Sequence, residues 1–401
     1  MARHQTVEKP ALAPECPLCG TGDCERVFRS ASLPINTTRV IRTRAEALAE
    51  PRGDFDLTLC PGCGFLFNPA FDAALVPFDT EQEQNQGFSP TFVRWQAGLA
   101  GELSERHRLA GKRIVEVGSG RGEFLGLFCA IAEATGLGFD PSYEPGRVVQ
   151  GAERIEVRPI LFNDVEAART RADLIVCSMT LEHIDRPLDF LGLLRHAAQA
   201  SGNCPVLVMV PNALHLLRHR HFWDFYYEHC SNFTSGTLAR LFRLAGFVVT
   251  RLERQYEDQY ILIEAVPGRM AQRLLAGEET PAEVAAEVRA FAAEVPQRLA
   301  ELEARLAGWK CAGRRVAMWG SGSRATALAN LAGMGREVAG FVDINPHRQG
   351  AFVAGTGHEV LSPEALIGLK PDVVVVLNPM YREEIGQMLA GLGLDPSVET
   401  L

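Results

Sequence analysis

Short apolar runs alternate with longer amphipathic ones through the middle of the chain. Residues 114–117, 135–139, 155–158, 174–178 and 206–210 are strand-length and rich in Val, Ile and Leu, and segments of helical period separate them. Two further runs, 247–252 and 260–265, lie close enough together to form a late hairpin at one edge. That alternation predicts an α/β unit with a doubly wound sheet. Before it, a helix is expected over about 91–110, and short strands at Val27-Phe28 and 56–59. After it, residues 268–309 are rich in Ala, Glu, Leu and Arg and read as one or two helices, broken near Thr280-Pro281 and at Pro296. A second strand–turn–helix then begins at Arg315, with strands at 340–343 and 372–376 and a helix from near Tyr381. The pattern divides the chain into 1–85, 86–266 and 267–401.

In a doubly wound sheet, ligands lie beyond the carboxyl ends of the strands. Gly118, Gly120 and Gly122 follow the first strand of the central unit and open a helix, so backbone N–H groups can approach a ligand. Glu116, two positions before the first glycine, is a carboxylate inside the strand, which suits a cationic amino acid better than a pyrophosphate. The next strand ends in Asp140, twenty residues after Gly120, where a ribose diol would sit. Asn163-Asp164 follow the third strand, Met179-Thr180-Leu-Glu-His183 the fourth, and Pro211-Asn212 the fifth. Asn163 and Asp164 read equally as a loop cap, and His183 as a cap for the next helix. After a basic run ending at His221 comes Phe222-Trp-Asp-Phe-Tyr226-Tyr-Glu228-His229. Its aromatics suit a dry pocket wall or a core, while Tyr226, Glu228 and His229 can move or orient a proton.

Composition works mainly by exclusion. The chain has 401 residues, 47% hydrophobic and 22% charged, with a net charge of −9, which argues against non-specific nucleic-acid binding. No apolar run reaches the roughly 18 residues of a membrane span, and the first ten residues lack a signal-peptide core, so a cytoplasmic protein is expected. Of ten cysteines, Cys16-Pro-Leu-Cys19-Gly and Cys60-Pro-Gly-Cys63-Gly form two C-x-x-C knuckles with forty residues between them. Cys16, Cys19, Cys60 and Cys63 make a ligand set for tetrahedral zinc, closed to solvent and therefore structural. Cys24 is the ambiguity within that segment. A polar loop, 78–90, follows and could lie over a site or serve as a linker.

Taken together, the glycine series with Glu116, Asp140, Asn163-Asp164 and the segment after the fourth strand resemble the class I S-adenosylmethionine-dependent methyltransferases. The resemblance implies that Gly118 to Gly122 contact the methionine part, that Asp140 holds the ribose and that Asp164 faces the adenine amine, with Thr180 also at the cofactor. The C-terminal unit, with Gly320-Ser-Gly322 and Asp343, is Rossmann-like. Alone it is also compatible with a nicotinamide-dependent oxidoreductase, with Arg348 either a phosphate clamp or a surface charge. Paired knuckles, methyltransferase core and small C-terminal Rossmann-like unit are, in that order, similar to the sugar C-methyltransferases of deoxysugar biosynthesis. Further matches are Trp319 to Ala325, Asn330, Val342-Asp343, Gly350, Gly355-Thr356, Pro371-Asp372, Tyr226-x-Glu228-His229 and His183. That resemblance implies methyl transfer from S-adenosylmethionine to a nucleotide-linked keto-deoxysugar through an enolate. His229 would be the base, Glu228 its partner, and His183 and Tyr226 would face the enolate or sugar. The chain departs from the family in lacking a tyrosine in loop 78–89, in Cys230-Ser-Asn-Phe-Thr234 after His229, and in Arg324 where lysine is common. O- or N-methylation of another small metabolite, and a non-catalytic zinc-knuckle interaction protein, stay open at this point.

Overall fold

A computed structural model describes residues 14–76, 81–83, 85–145, 150–269, 274–331 and 337–401. Phe78 to Thr80 and Gln84 of the polar loop, and the first ten residues, lie outside them. The N-terminal part holds β1 (Glu25–Pro34), β2 (Arg52–Leu59) and β3 (Leu66–Phe67), with an unforeseen helix, Arg44–Ala49, between the first two. β1 extends well beyond the short strand expected at Val27-Phe28.

The central sheet contains β4 (Arg113–Val117), β5 (Thr135–Phe139), β6 (Ile155–Arg158), β7 (Leu174–Ser178) and β8 (Val206–Pro211), all parallel. A two-residue strand, β9 (Ser231–Asn232), leaves this unit and pairs with β3, so the N-terminal sheet has the order β1-β2-β3-β9. The hairpin β10 (Phe247–Gln255) and β11 (Tyr260–Pro267) returns antiparallel, with β11 against β8. The resulting order is β10-β11-β8-β7-β4-β5-β6, the doubly wound α/β sheet expected from the pattern.

Strand alternation assigns each residue to a face. Ile114, Leu174, Val176 and Leu207 pack under helices Pro90–His107 and Glu123–Ala132. Val115, Val117, Ile175 and Val208 pack under Pro187–Ala200 and Ser235–Leu244, and this second core runs on through Phe233 and Phe65 to Cys16, Cys60 and Cys63 of the knuckles. Helix Pro90–His107 is shorter than the expected 91–110, because Ser89 caps its start and Arg108 ends it in the left-handed region.

Helix Pro281–Cys311 crosses to the C-terminal unit without a break. Thr280-Pro281 is its beginning: Thr280 and Glu283 form a reciprocal capping box, and proline at the first position gives up no intrahelical bond. Pro296, expected to break the segment, lies inside the helix. It removes one backbone bond at a cost of about 3 kcal/mol. Burial of Val288, Phe291, Val295, Leu302 and Leu306, worth roughly 1.5–3 kcal/mol each, outweighs that cost. The C-terminal sheet has β12 (Val316–Trp319), β13 (Gly340–Val342), β14 (Val360–Leu361), β15 (Val373–Val376) and β16 (Ser397–Thr400), all parallel, in the order β14-β13-β12-β15-β16. Among the described residues no helix is long and apolar enough to cross a membrane.

Candidate functional site

β4 delivers Glu116 and the turn that follows it. Gly118, Gly120 and Gly122 have φ of +76°, +54° and +84°, a region that disfavours any side chain. A Cβ on Gly118 would meet Thr180 Oγ1 at 2.0 Å, so Thr180 is packed directly on the turn, and its hydroxyl is 3.4 Å from Gly118 O. At Gly120 the nearest atom to such a Cβ is 3.8 Å away, so this glycine faces open space. Glu116 is 2% exposed; Leu125 N–H donates to its carboxyl group, and Oε2 has no partner. Burial first, then the charges of Asp140 and Glu123, push its pKa up to about 8. A buried acid with an unused oxygen beside an open glycine turn fits the ammonium group of a bound amino acid.

Asp140, at the end of β5, accepts Gly120 N–H on Oδ2 (2.7 Å) and Ser142 N–H and Oγ–H on Oδ1 (2.8 and 2.5 Å). It thereby ties the turn to the next strand. Asn163 caps helix Asp164–Arg169, accepting from Val165 and Glu166 N–H. Asp164 is exposed in the first turn and shares a shallow surface hollow with Ile184, Arg186 and Leu188.

The structure brings His183, Tyr226 and His229 together. His183 lies in a single 3-10 turn after β7, and its Nδ1 is 3.0 Å from Glu228 O. Its ring meets that of His229 edge-on, with centroids 4.8 Å apart, and Tyr226 packs on the other imidazole at 4.1 Å. Burial lowers the His183 pKa to about 4, and burial together with His183 holds His229 well below its ordinary value. Both rings are therefore neutral at pH 7. Burial raises Tyr226 well above the usual phenol range, so it keeps its proton.

Glu228 does not bond to the His229 ring. Its Oε1 accepts from Thr37 N–H at 2.8 Å and from the Thr37 hydroxyl, while Oε2 has no partner. Burial raises this carboxyl to about 7 against the opposing Thr37 bonds. The aromatics ahead of it are also placed differently from a pocket wall. Phe222, Trp223 and Phe225 are fully buried in a core with Phe55 and Phe291. Instead Trp95, Tyr256 and Tyr260 form an aromatic cluster, joined to the C-terminal unit by the 2.8 Å bond between the hydroxyls of Tyr256 and Tyr381.

Sequence reasoning missed several residues here. Thr37 comes from the bend after β1, and nothing in Asn36-Thr-Thr38 marks it. Asp224 holds Arg324 of the C-terminal unit (2.6 Å to Nε), and Arg324 reaches on to Gln259, which pairs with Asn378. Arg348 is neither a surface charge nor a free phosphate clamp: it is 8% exposed, and its guanidinium donates to the carbonyls of Ser321, Thr38 and Glu83. In the second glycine turn Asp343 likewise accepts a turn N–H, from Ser321, and takes the Ser321 hydroxyl on the same oxygen.

The four knuckle thiols converge within 4.8 Å of one another, Cys16 to Cys63 at 3.6 Å and Cys19 to Cys60 at 3.5 Å. Tetrahedral zinc with sulfur ligands at about 2.3 Å sets them roughly 3.8 Å apart, so the donor set fits. Gly20 and Gly64, after the second cysteine of each knuckle, have φ of +72° and +76°, the conformation the tight turn needs. Cys24 lies beside Cys60 but outside the set of four, donating to Thr21 O at 3.4 Å, and none of the ten cysteines forms a disulfide.

Residues 92–252 match a family model described as a methyltransferase domain, and residues 264–393 one described as a C-methyltransferase C-terminal domain. C-methyltransferase NovU from Streptomyces niveus is 24% identical over 387 residues, spanning 92% of this chain and 91% of its own. Among solved structures, the 1,6-didemethyltoxoflavin-N1-methyltransferase of Burkholderia thailandensis aligns at 14% identity over 45% of this chain and 81% of that one, with a TM-score of 0.33. The magnesium protoporphyrin IX methyltransferase of Synechocystis aligns at 15% identity over 44% and 84%, with a TM-score of 0.33.

Proposed function

We propose that this chain, an S-adenosylmethionine-dependent methyltransferase built on the C-methyltransferase plan, methylates carbon next to the ketone of a nucleotide-linked keto-deoxysugar by way of an enolate. The observation that carries this reading is the cluster of His183, His229 and Tyr226, in which His229 is buried and the other two are half-buried. Removing a proton alpha to a ketone needs a neutral base and a donor for the oxygen that becomes negative. His229, neutral because it is buried, takes the proton, and the electron pair of the broken C–H bond passes to the carbonyl oxygen. Tyr226, which keeps its proton, donates to that oxygen, while His183, whose one N–H is spent on Glu228 O, is left with an acceptor nitrogen that can hold a sugar hydroxyl. Glu228, fixed by Thr37, holds the backbone on which His229 stands.

Glu116, Gly118, Gly120, Gly122, Asp140, Asp164 and Thr180 would hold S-adenosylmethionine. When bound, it supplies an electrophilic methyl group. Cys16, Cys19, Cys60 and Cys63 would hold a structural zinc. The turn at Gly320, at the start of helix Ser323–Leu331, is suited to a phosphate of the acceptor. Carbon as the acceptor atom is favoured over oxygen or nitrogen by the match of the C-terminal unit to that of C-methyltransferases, which also disfavours a nicotinamide role for its turn.

A mass-spectrometric screen of nucleotide-linked keto sugars with S-adenosylmethionine tests the reading. A product heavier by one methyl, with that methyl on a ring carbon by NMR, is the expected result. Methyl transfer confined to oxygen or nitrogen, or to acceptors without a ketone, rejects it.

A further inference from the structure

Two Glu–His dipeptides meet at this site: Glu182-His183 after β7 and Glu228-His229 before β9. Their backbones hold them together. His183 Nδ1 contacts Glu228 O, Cys230 Sγ donates to Glu182 O at 3.6 Å, and Ser231 Oγ donates to Ile184 O at 2.7 Å. The two carboxylates then diverge. Glu228 is bound by Thr37 in the bend after β1, whereas Glu182 stays with the rings. Glu182 is 3% exposed and its Oε2 has no partner. One of its oxygens and a ring nitrogen from each of His183 and His229 all lie within 4.8 Å of one another. One water spans such a gap with two hydrogen bonds of about 2.8 Å.

The other groups that sense the Glu182 charge are Cys177 on β7, Tyr226 and Cys230, none of which becomes a cation. Arg324, the cation facing Tyr226 and His229 from the C-terminal unit, is already paired with Asp224. The imidazoles are thus the groups at this site able to supply the positive charge that a buried Glu182 carboxylate lacks.

We propose that Glu182 is the positioning residue of the proton-removal step, accepting the N–H of His229 directly or through one water and balancing the imidazolium formed there. This rests on His229 being the base. The acceptor's C–H bond breaks, its electron pair stays on the acceptor as the enolate, and the proton goes to a ring nitrogen of His229. The carboxylate keeps the resulting ring cation from standing alone. Burial pushes the Glu182 carboxyl up to about 8 and both imidazoles down, so the working form, an ionised Glu182 beside a neutral His229, grows as pH rises toward 8 and balances the ring cation once the acceptor's proton arrives.

Two measurements on the full chain test this. In protein carrying ¹³C-labelled histidine, the His229 resonance, assigned with H229Q, is titrated in wild type, E182Q and E182D. The expected result is a fall in the His229 pKa by about one unit or more in E182Q, with partial recovery in E182D. Deuterium exchange from solvent into a keto sugar nucleotide should slow about tenfold or more in E182Q at unchanged KM, again with partial rescue in E182D. An unchanged His229 titration in folded E182Q overturns the proposal. So does loss of a bound divalent metal on that substitution, since Glu182 would then be a ligand. Wild-type protein that exchanges no keto sugar while E182Q still shifts the titration would overturn the acceptor reading and leave the Glu182 pairing standing.

Discussion

Glu116 keeps its proton up to about pH 8 because it is buried beside the like charges of Asp140 and Glu123. Its pKa is raised on folding, so the free protein gains stability from it at low pH and loses that gain as pH rises toward 8. A bound ammonium group reverses the preference. Calorimetry at about pH 6.5 in buffers of different ionisation enthalpy should therefore show S-adenosylmethionine binding with release of nearly one proton. In E116Q that release should vanish and the affinity fall. Glu116 was legible because an acid inside an apolar strand just ahead of a glycine turn has few structural uses. Thr37 was not, since its contact with Glu228 spans 191 positions. The pair Asp224–Arg324 was equally hidden, and R324A should cost about 3 kcal/mol in a urea melt, because it strands a carboxylate that is 5% exposed. R324K should restore most of the loss.

The elements that alternate apolar and polar residues at strand period could be read directly, and β5, β6 and β7 begin and end where the pattern put them. Helix Arg44–Ala49 escaped because six residues carry too little periodicity, and its identity rests on the cap from Thr43. The proline rule misled at Pro296, where tertiary burial outweighed a local penalty. Pro296 is exposed, so P296A should restore the missing bond without disturbing the core and raise stability by up to about 3 kcal/mol, read as a higher Tm. At the glycine turn the opposite sign is expected. G118A places a methyl against Thr180 at a φ of +76°, and calorimetry should find S-adenosylmethionine binding weakened at least about tenfold.

Across the whole molecule, the three sheets are locked by contacts that no single segment announces. Arg121, inside the first glycine turn, donates to Gln82 O at 3.1 Å, and Arg348 of the C-terminal unit donates to Glu83 O, so residues 81–83 are gripped from both sides. Cys16, Cys60 and Cys63 of the knuckles share a core with the central sheet, and elemental analysis should find one zinc per chain. Chelation, or C60S, should lower Tm and methyl transfer together; full stability without metal would reject the zinc. Strand β9 bears on how such enzymes are recombined. The N-terminal sheet takes its last strand from two residues that follow His229 and Cys230, so the knuckle segment is not a detachable module. A chimera cut between residues 85 and 86 would separate a strand from its partner and disturb the site in the same stroke. Shuffling this family should therefore succeed only when residues 226–234 travel with the cysteines.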